Sequence, residues 1–109
     1  MKLAYIAGPY SADTEWEREQ NKRNAERYAL KYLHMGYSVI CPHKNTAYLG
    51  GAIFSDSPEN DHEFWLQVDL EILRRCDLLV LIPGWRDSKG CQMELEEASK
   101  IGIEFIYEV

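Results

Sequence analysis

The sequence predicts a small doubly wound α/β domain built on an all-parallel sheet. Three observations carry that expectation. Short apolar runs that do not alternate with polar residues recur four times along 109 residues, the pattern of strands covered on both faces. Longer segments between them place apolar residues at three- and four-residue spacing, the period of amphipathic helices. Strand and helix then alternate from one end to the other, which is the signature of parallel crossover units.

The first strand is KLAYIA, residues 2–7, stopped by Gly8-Pro9. A helix follows over residues 13–35, with Trp16, Ala25, Tyr28, Ala29, Tyr32 and Leu33 as its apolar face, Asp13 or Thr14 as cap and Gly36 as stop. YSVIC, residues 37–41, is the second strand, ended by Pro42. A long polar segment, residues 43–60, comes next, and loops of that length in compact domains are usually functional or mobile. Phe64, Trp65, Val68, Leu70, Ile72 and Leu73 mark a second helix over residues 61–75, and residues 77–82 form the third strand. After the turn PGWRDSKG, a third helix spans residues 90–100, Gly102 stops it, and residues 103–107 are the last strand. With right-handed crossovers the spatial order is 2-1-3-4, a flavodoxin- or Rossmann-like arrangement in one domain, residues 1–109.

Composition narrows the function classes. Eighteen acidic residues against twelve basic ones give a net charge of −6, which argues against a binder of long nucleic acid while leaving a single nucleotide open. No apolar run approaches the roughly 20 residues of a membrane span, and MKLAYIAGPY is too short in its apolar part for a secretory signal, so the expected location is cytoplasmic, with no membrane partner. Cys41, Cys76 and Cys91 are odd in number and widely spaced, which predicts reduced thiols, with Cys91 a packing residue. His43, Asp61 and His62 lack a metal-ligand spacing, so neither metal nor cofactor is expected, and His43 is read as structural or as a contact to a base edge.

In the 2-1-3-4 order the chain reverses direction between strands one and three, and ligands bind beyond the carboxyl ends of those strands. Those ends carry Gly8, Pro9, Tyr10 and Ser11 on one side and Gly84, Trp85, Ser88, Lys89 and Gly90 on the other. Ser88, Lys89 and the amides before the third helix are suited to a phosphate. Glu94 lies one turn into that helix, where its carboxylate either points back to the crevice or only complements the helix dipole. Asp69 sits among apolar residues midway along the second helix, and a carboxylate there needs a loop N–H or an opening into a cleft. Tyr10 either donates to a carboxylate at the site or anchors its loop.

The segments IAGPYSA, VDLEILRRCDLLVLIPGW and SKGCQMELEEASKIG, taken in order, resemble the nucleoside 2-deoxyribosyltransferase superfamily. Within it the chain is similar to short bacterial and phage members and to the 2'-deoxynucleoside 5'-phosphate N-hydrolases. The resemblance implies cleavage or transfer of an N-glycosidic bond on a small deoxynucleotide or deoxynucleoside. It implies Glu94 as the nucleophile at C1', Asp69 as the acid that protonates the leaving base, and Tyr10 as the tyrosine that orients the nucleophile. Ser88 matches a position that is serine in enzymes acting on 5'-monophosphates. The resemblance implies a homo-oligomer, and so does a short chain with few elements to cover its sheet edges; the helices around Trp16 and Phe64-Trp65 are the candidate surfaces. Asp87 beside Ser88, and Cys91 and Gln92 where the hydrolases tend to carry small residues, depart from the pattern. A non-catalytic nucleotide-binding module is the alternative reading.

Overall fold

Four strands pair in parallel in the order β2-β1-β3-β4, as the sequence predicts. The computed structural model describes residues 1–42 and 58–108. The elements run β1 (Leu3–Ala7), α1 (Glu15–His34), β2 (Ser38–Ile40), α2 (Pro58–Leu73), β3 (Leu78–Leu81), a single 3-10 turn (Trp85–Asp87), α3 (Lys89–Ile101) and β4 (Glu104–Tyr107). The long polar segment, residues 43–60 with His43, lies outside the described residues except for its last three positions, which begin α2.

The two central strands are apolar because both of their faces are covered. Ala4 pairs with Leu78, Tyr5 with Leu79, Ile6 with Val80 and Ala7 with Leu81, and all eight are buried. Alternate residues sort to opposite sides. Ala4, Ile6, Leu78 and Val80 pack with Ala25 and Tyr32 of α1, while Tyr5, Ala7, Leu79 and Leu81 pack with Leu70 and Leu73 of α2 and with Cys91 and Ala98 of α3. Each large side chain so buried contributes about 1.5–3 kcal/mol, which makes the β1–β3 seam the centre of the fold.

The outer strands are less covered. Phe105 and Tyr107 of β4 keep exposed surface, since the described helices do not cover both faces out to the sheet edge. Glu108, just past β4, accepts hydrogen bonds from Lys31 Nζ (2.8 Å) and Tyr32 Oη (2.6 Å), which fastens the end of the sheet to α1.

Local signals set the helix limits. Thr14 caps α1, its Oγ1 accepting from the Glu17 amide at 3.1 Å, and Gly36 follows with φ 98°. Gly102 ends α3 at φ 86°. The apolar face of α1 differs from the expectation at two positions. Ala25, Tyr28, Ala29 and Tyr32 meet the sheet, whereas Trp16 is 71% exposed and Leu33 48%. At about 100° per residue, Trp16 stands nearly opposite Tyr32 and Leu33 about a quarter turn off the buried stripe.

Beyond the carboxyl ends of β1 and β3 two loops touch. A Cβ added at Gly8 would lie 2.5 Å from Cγ1 and Cδ1 of the buried Ile82, and one added at Gly84 would lie 3.0 Å from Pro9 Cγ. We expect Gly8→Ala to destabilise the chain by about 1–3 kcal/mol in urea denaturation. The same substitution should cost measurably less in an Ile82→Ala background, because the crowding atoms are then gone.

Candidate active site

A cleft of about 450 Å³ opens where those loops meet, at the point of chain reversal. Its described wall comes from four places. The end of β1 and the loop after it supply Ile6, Ala7, Gly8, Pro9, Tyr10 and Ser11; Pro42 follows β2; α2 gives Trp65, Leu66 and Asp69; the turn and α3 give Asp87, Ser88, Lys89, Gly90, Cys91 and Glu94. Arg18 Nη1 donates to the Ala12 carbonyl at 2.8 Å and Asn21 Nδ2 to the Tyr10 carbonyl at 3.2 Å, so α1 holds the loop that carries Tyr10 and Ser11.

The two carboxylates reach the cleft from separate helices. On α3, Cys91, Glu94 and Ala98 follow at three- and four-residue spacing and form the stripe that faces the sheet, which is why Glu94 is only 8% exposed. Tyr5, on the strand beneath, donates its hydroxyl hydrogen bond to Glu94 Oε2. On α2, Leu66, Asp69, Leu70 and Leu73 make the corresponding stripe. Asp69 Oδ1 is buried without a hydrogen-bond partner, and so is the indole nitrogen of Trp65, one turn away. Arg74 ties the two helices together, donating from Nη1 to Glu71 at 2.8 Å and from Nε to Glu97 at 3.2 Å.

Ser88 caps α3, its Oγ accepting from the Cys91 amide at 3.3 Å, and so serves both helix and cleft wall. Gln92 Nε2 donates to the Arg86 carbonyl and closes the turn over the helix start.

Residues 2–108 match a protein family described as a domain of unknown function, DUF7768. The chain belongs to this family. No curated protein matches it. The DUF7768 match takes in every strand and helix of the described fold and all of the described cleft wall.

Most of the expected site residues come together in this DUF7768 chain, with three differences. The hydroxyl bonded to Glu94 belongs to Tyr5, within β1, while Tyr10 stands on the cleft wall five residues later. Gly84 and Trp85 are off the described wall. Gly84 takes φ 94° to start the 3-10 turn, and Trp85 stacks on Tyr107 with centroids 5.1 Å apart and Arg86 over its ring at 4.9 Å. Trp65, not among the expected binding residues, is on the wall, and His43 lies outside the described residues. Tyr5 carried a readable signal, a hydroxyl in an otherwise apolar strand that must find an acceptor once buried.

Burial governs the electrostatics. Desolvation pushes Glu94 up to about 8, opposed by the Tyr5 hydrogen bond and reinforced by the nearby charge of Asp69. Burial pushes Asp69 up to about 6. Between those values the pair holds one proton. Tyr5 is raised well above its ordinary value, first by burial and then by Glu94, so it stays a donor. Burial drives the Cys91 thiol up to about 12, opposed by its hydrogen bond to Ser88, which fits a packing residue and not a nucleophile. Among the described residues no group of three His, Cys, Asp or Glu is placed to hold a metal ion.

An acid raised in the folded state binds its proton more tightly there than in the unfolded chain. The stability this gives is complete below about 4.5 and is lost as the pH rises through about 8. Asp69 follows the same sign and is finished by about 6. We expect the protein to lose about 2–3 kcal/mol of unfolding free energy between pH 6 and 8. Glu94→Gln, whose amide oxygen can still accept from Tyr5, should be nearly flat over that range in urea denaturation; parallel slopes for the two proteins would remove the buried proton from Glu94.

Proposed function

We propose that this chain cleaves the N-glycosidic bond of 2'-deoxynucleoside 5'-monophosphates or the corresponding deoxynucleosides, passing the sugar to water or to a second base. The observation that carries this reading is the pair of carboxylates on one cleft, Glu94 oriented by Tyr5 and Asp69 with an oxygen left unbonded. The resemblance of the flanking segments to the nucleoside 2-deoxyribosyltransferase superfamily supports the same chemistry.

Glu94 attacks C1' of the deoxyribose, and the C1'–N bond breaks with its electron pair going to the base nitrogen, which takes the proton held on Asp69. Water or a second base then displaces Glu94 from C1' and returns a proton to Asp69. An anionic carboxylate below the sugar stabilises the positive charge that builds on it, and protonation improves the leaving group, as in retaining glycosidases. The Trp65 N–H and the Asp69 carboxylate, a donor and an acceptor one turn apart, suit the edge of a nucleobase. Ser88, Lys89 and the first amides of α3 suit a 5'-phosphate. Three buried free thiols fit a reducing, cytoplasmic setting.

The catalytic form has Glu94 ionised and Asp69 protonated, the minor of the two singly protonated arrangements, since between about 6 and 8 the shared proton rests mainly on Glu94; its population still peaks where the pair holds one proton. Free base released from a panel of deoxynucleotides and deoxynucleosides should therefore follow a bell-shaped pH profile with limbs near 6 and 8. Glu94→Gln should abolish release, and Asp69→Asn should slow it by about 10²–10⁴-fold. Because the Tyr5 hydrogen bond lowers the Glu94 pKa, Tyr5→Phe should reduce the rate and move the alkaline limb to higher pH. No base from any substrate, with nucleotide binding still seen by calorimetry, would overturn the enzyme reading in favour of a binding module.

A further inference from the structure

A second periodic stripe runs along α1 on the side away from the sheet. Trp16, Glu19, Arg23, Glu26, Leu30 and Leu33 follow one another in steps of three, four, three, four and three residues, the a/d spacing of a coiled-coil seam. At about 100° per residue the centre of this stripe lies across the helix from the residues that pack on the sheet. Its ends are apolar and open, with Trp16 71%, Leu30 52% and Leu33 48% exposed. Its middle is charged in the order minus, plus, minus. Arg23 bridges Glu19 at 3.3 Å and Glu26 at 3.4 Å along the helix surface.

We propose that this face of α1 pairs with the same face of a second copy of the chain, the two helices antiparallel across a two-fold axis. In antiparallel packing each a position meets a d position of the other helix. Trp16 then faces Leu33 of the second copy, Glu19 faces Leu30, and Arg23 faces Glu26. The two-fold axis repeats each pair. Indole packs on an aliphatic side chain at both ends, the methylene stem of Glu19 lies over Leu30 with its carboxylate at the rim, and two Arg23–Glu26 pairs cross the centre. A parallel arrangement would set Arg23 on Arg23, Glu19 on Glu19 and Glu26 on Glu26, three layers of like charge. The charge order therefore selects the antiparallel dimer, and it explains why two apolar residues and a tryptophan sit on a face the core does not use. This pairing is independent of the chemistry proposed for the cleft, since α1 packs on the sheet face opposite α2 and α3.

Sedimentation velocity over a micromolar to several-hundred-micromolar series tests it, with far-UV circular dichroism to verify that each variant is folded. The wild type should be a concentration-dependent dimer. Arg23→Glu, which places two acids in the central layer, should raise the dissociation constant roughly tenfold or more. The exchange variant Arg23→Glu/Glu26→Arg keeps opposite charges in that layer with their sense reversed and should restore the dimer. A wild type that stays monomeric throughout, a dimer indifferent to Arg23→Glu, or an exchange variant that fails to re-associate would each overturn the proposal.

Discussion

The pairing of β1 with β3 is the constraint on which the rest of this structure depends. Eight residues face one another across it with no surface left for water, so both sides of the seam must be covered by helices. The strands are parallel, so both carboxyl ends emerge together, and a glycine in each exit loop makes room for a side chain of the other, Ile82 at Gly8 and Pro9 at Gly84. A cleft forms there as a consequence of connectivity, before any side chain is chosen to fill it.

What occupies the cleft is set by the same seam. Tyr5 is the one seam residue with a polar atom on its side chain, and a hydroxyl buried in that position has to reach an acceptor. Glu94, on the sheet-facing stripe of α3, provides it. The arrangement keeps a carboxylate where hydrocarbon would pack more comfortably, and the elevated proton affinity of Glu94 measures that discomfort. Such local disagreement with packing logic, in a domain whose other buried side chains are almost all apolar, is the mark of a site more than of a scaffold.

The strand order, the element sequence and the position of the cleft were legible in the sequence because they follow from periodicity, punctuation and handed crossovers. Asp69 was legible as an acid among apolar residues, and Glu94 by its place one turn into the helix that starts at the crevice. Less legible was whatever depends on azimuth or depth. Trp16 and Leu33 share a spacing with the buried side of α1, and a wide stripe of apolar residues does not reveal which members fall beyond its edge. Tyr5 was hidden by its strand, whose apolar reading absorbed the ring and passed over the hydroxyl, while Tyr10 drew notice by lying in a loop. Trp85 sits in the right turn, but its ring finds a better surface in Tyr107 than in the cleft. Trp65 read as one more apolar residue of α2, and nothing in a sequence marks a buried N–H as unbonded.

Ser88 illustrates how the scaffold limits what the cleft can become. Its oxygen accepts from the first turn of α3 while the residue forms part of the cleft wall, so one residue serves the helix and the cleft together. Replacing it with alanine would forfeit about 1 kcal/mol of helix stability, whereas threonine, aspartate, asparagine and glycine keep most of the cap. Variation at that point of the wall is thereby biased toward a short list of capping residues. Among these residues aspartate alone carries a full negative charge, so a change from serine to aspartate would keep the cap and make the cleft mouth more acidic, whereas threonine or asparagine would keep both cap and charge.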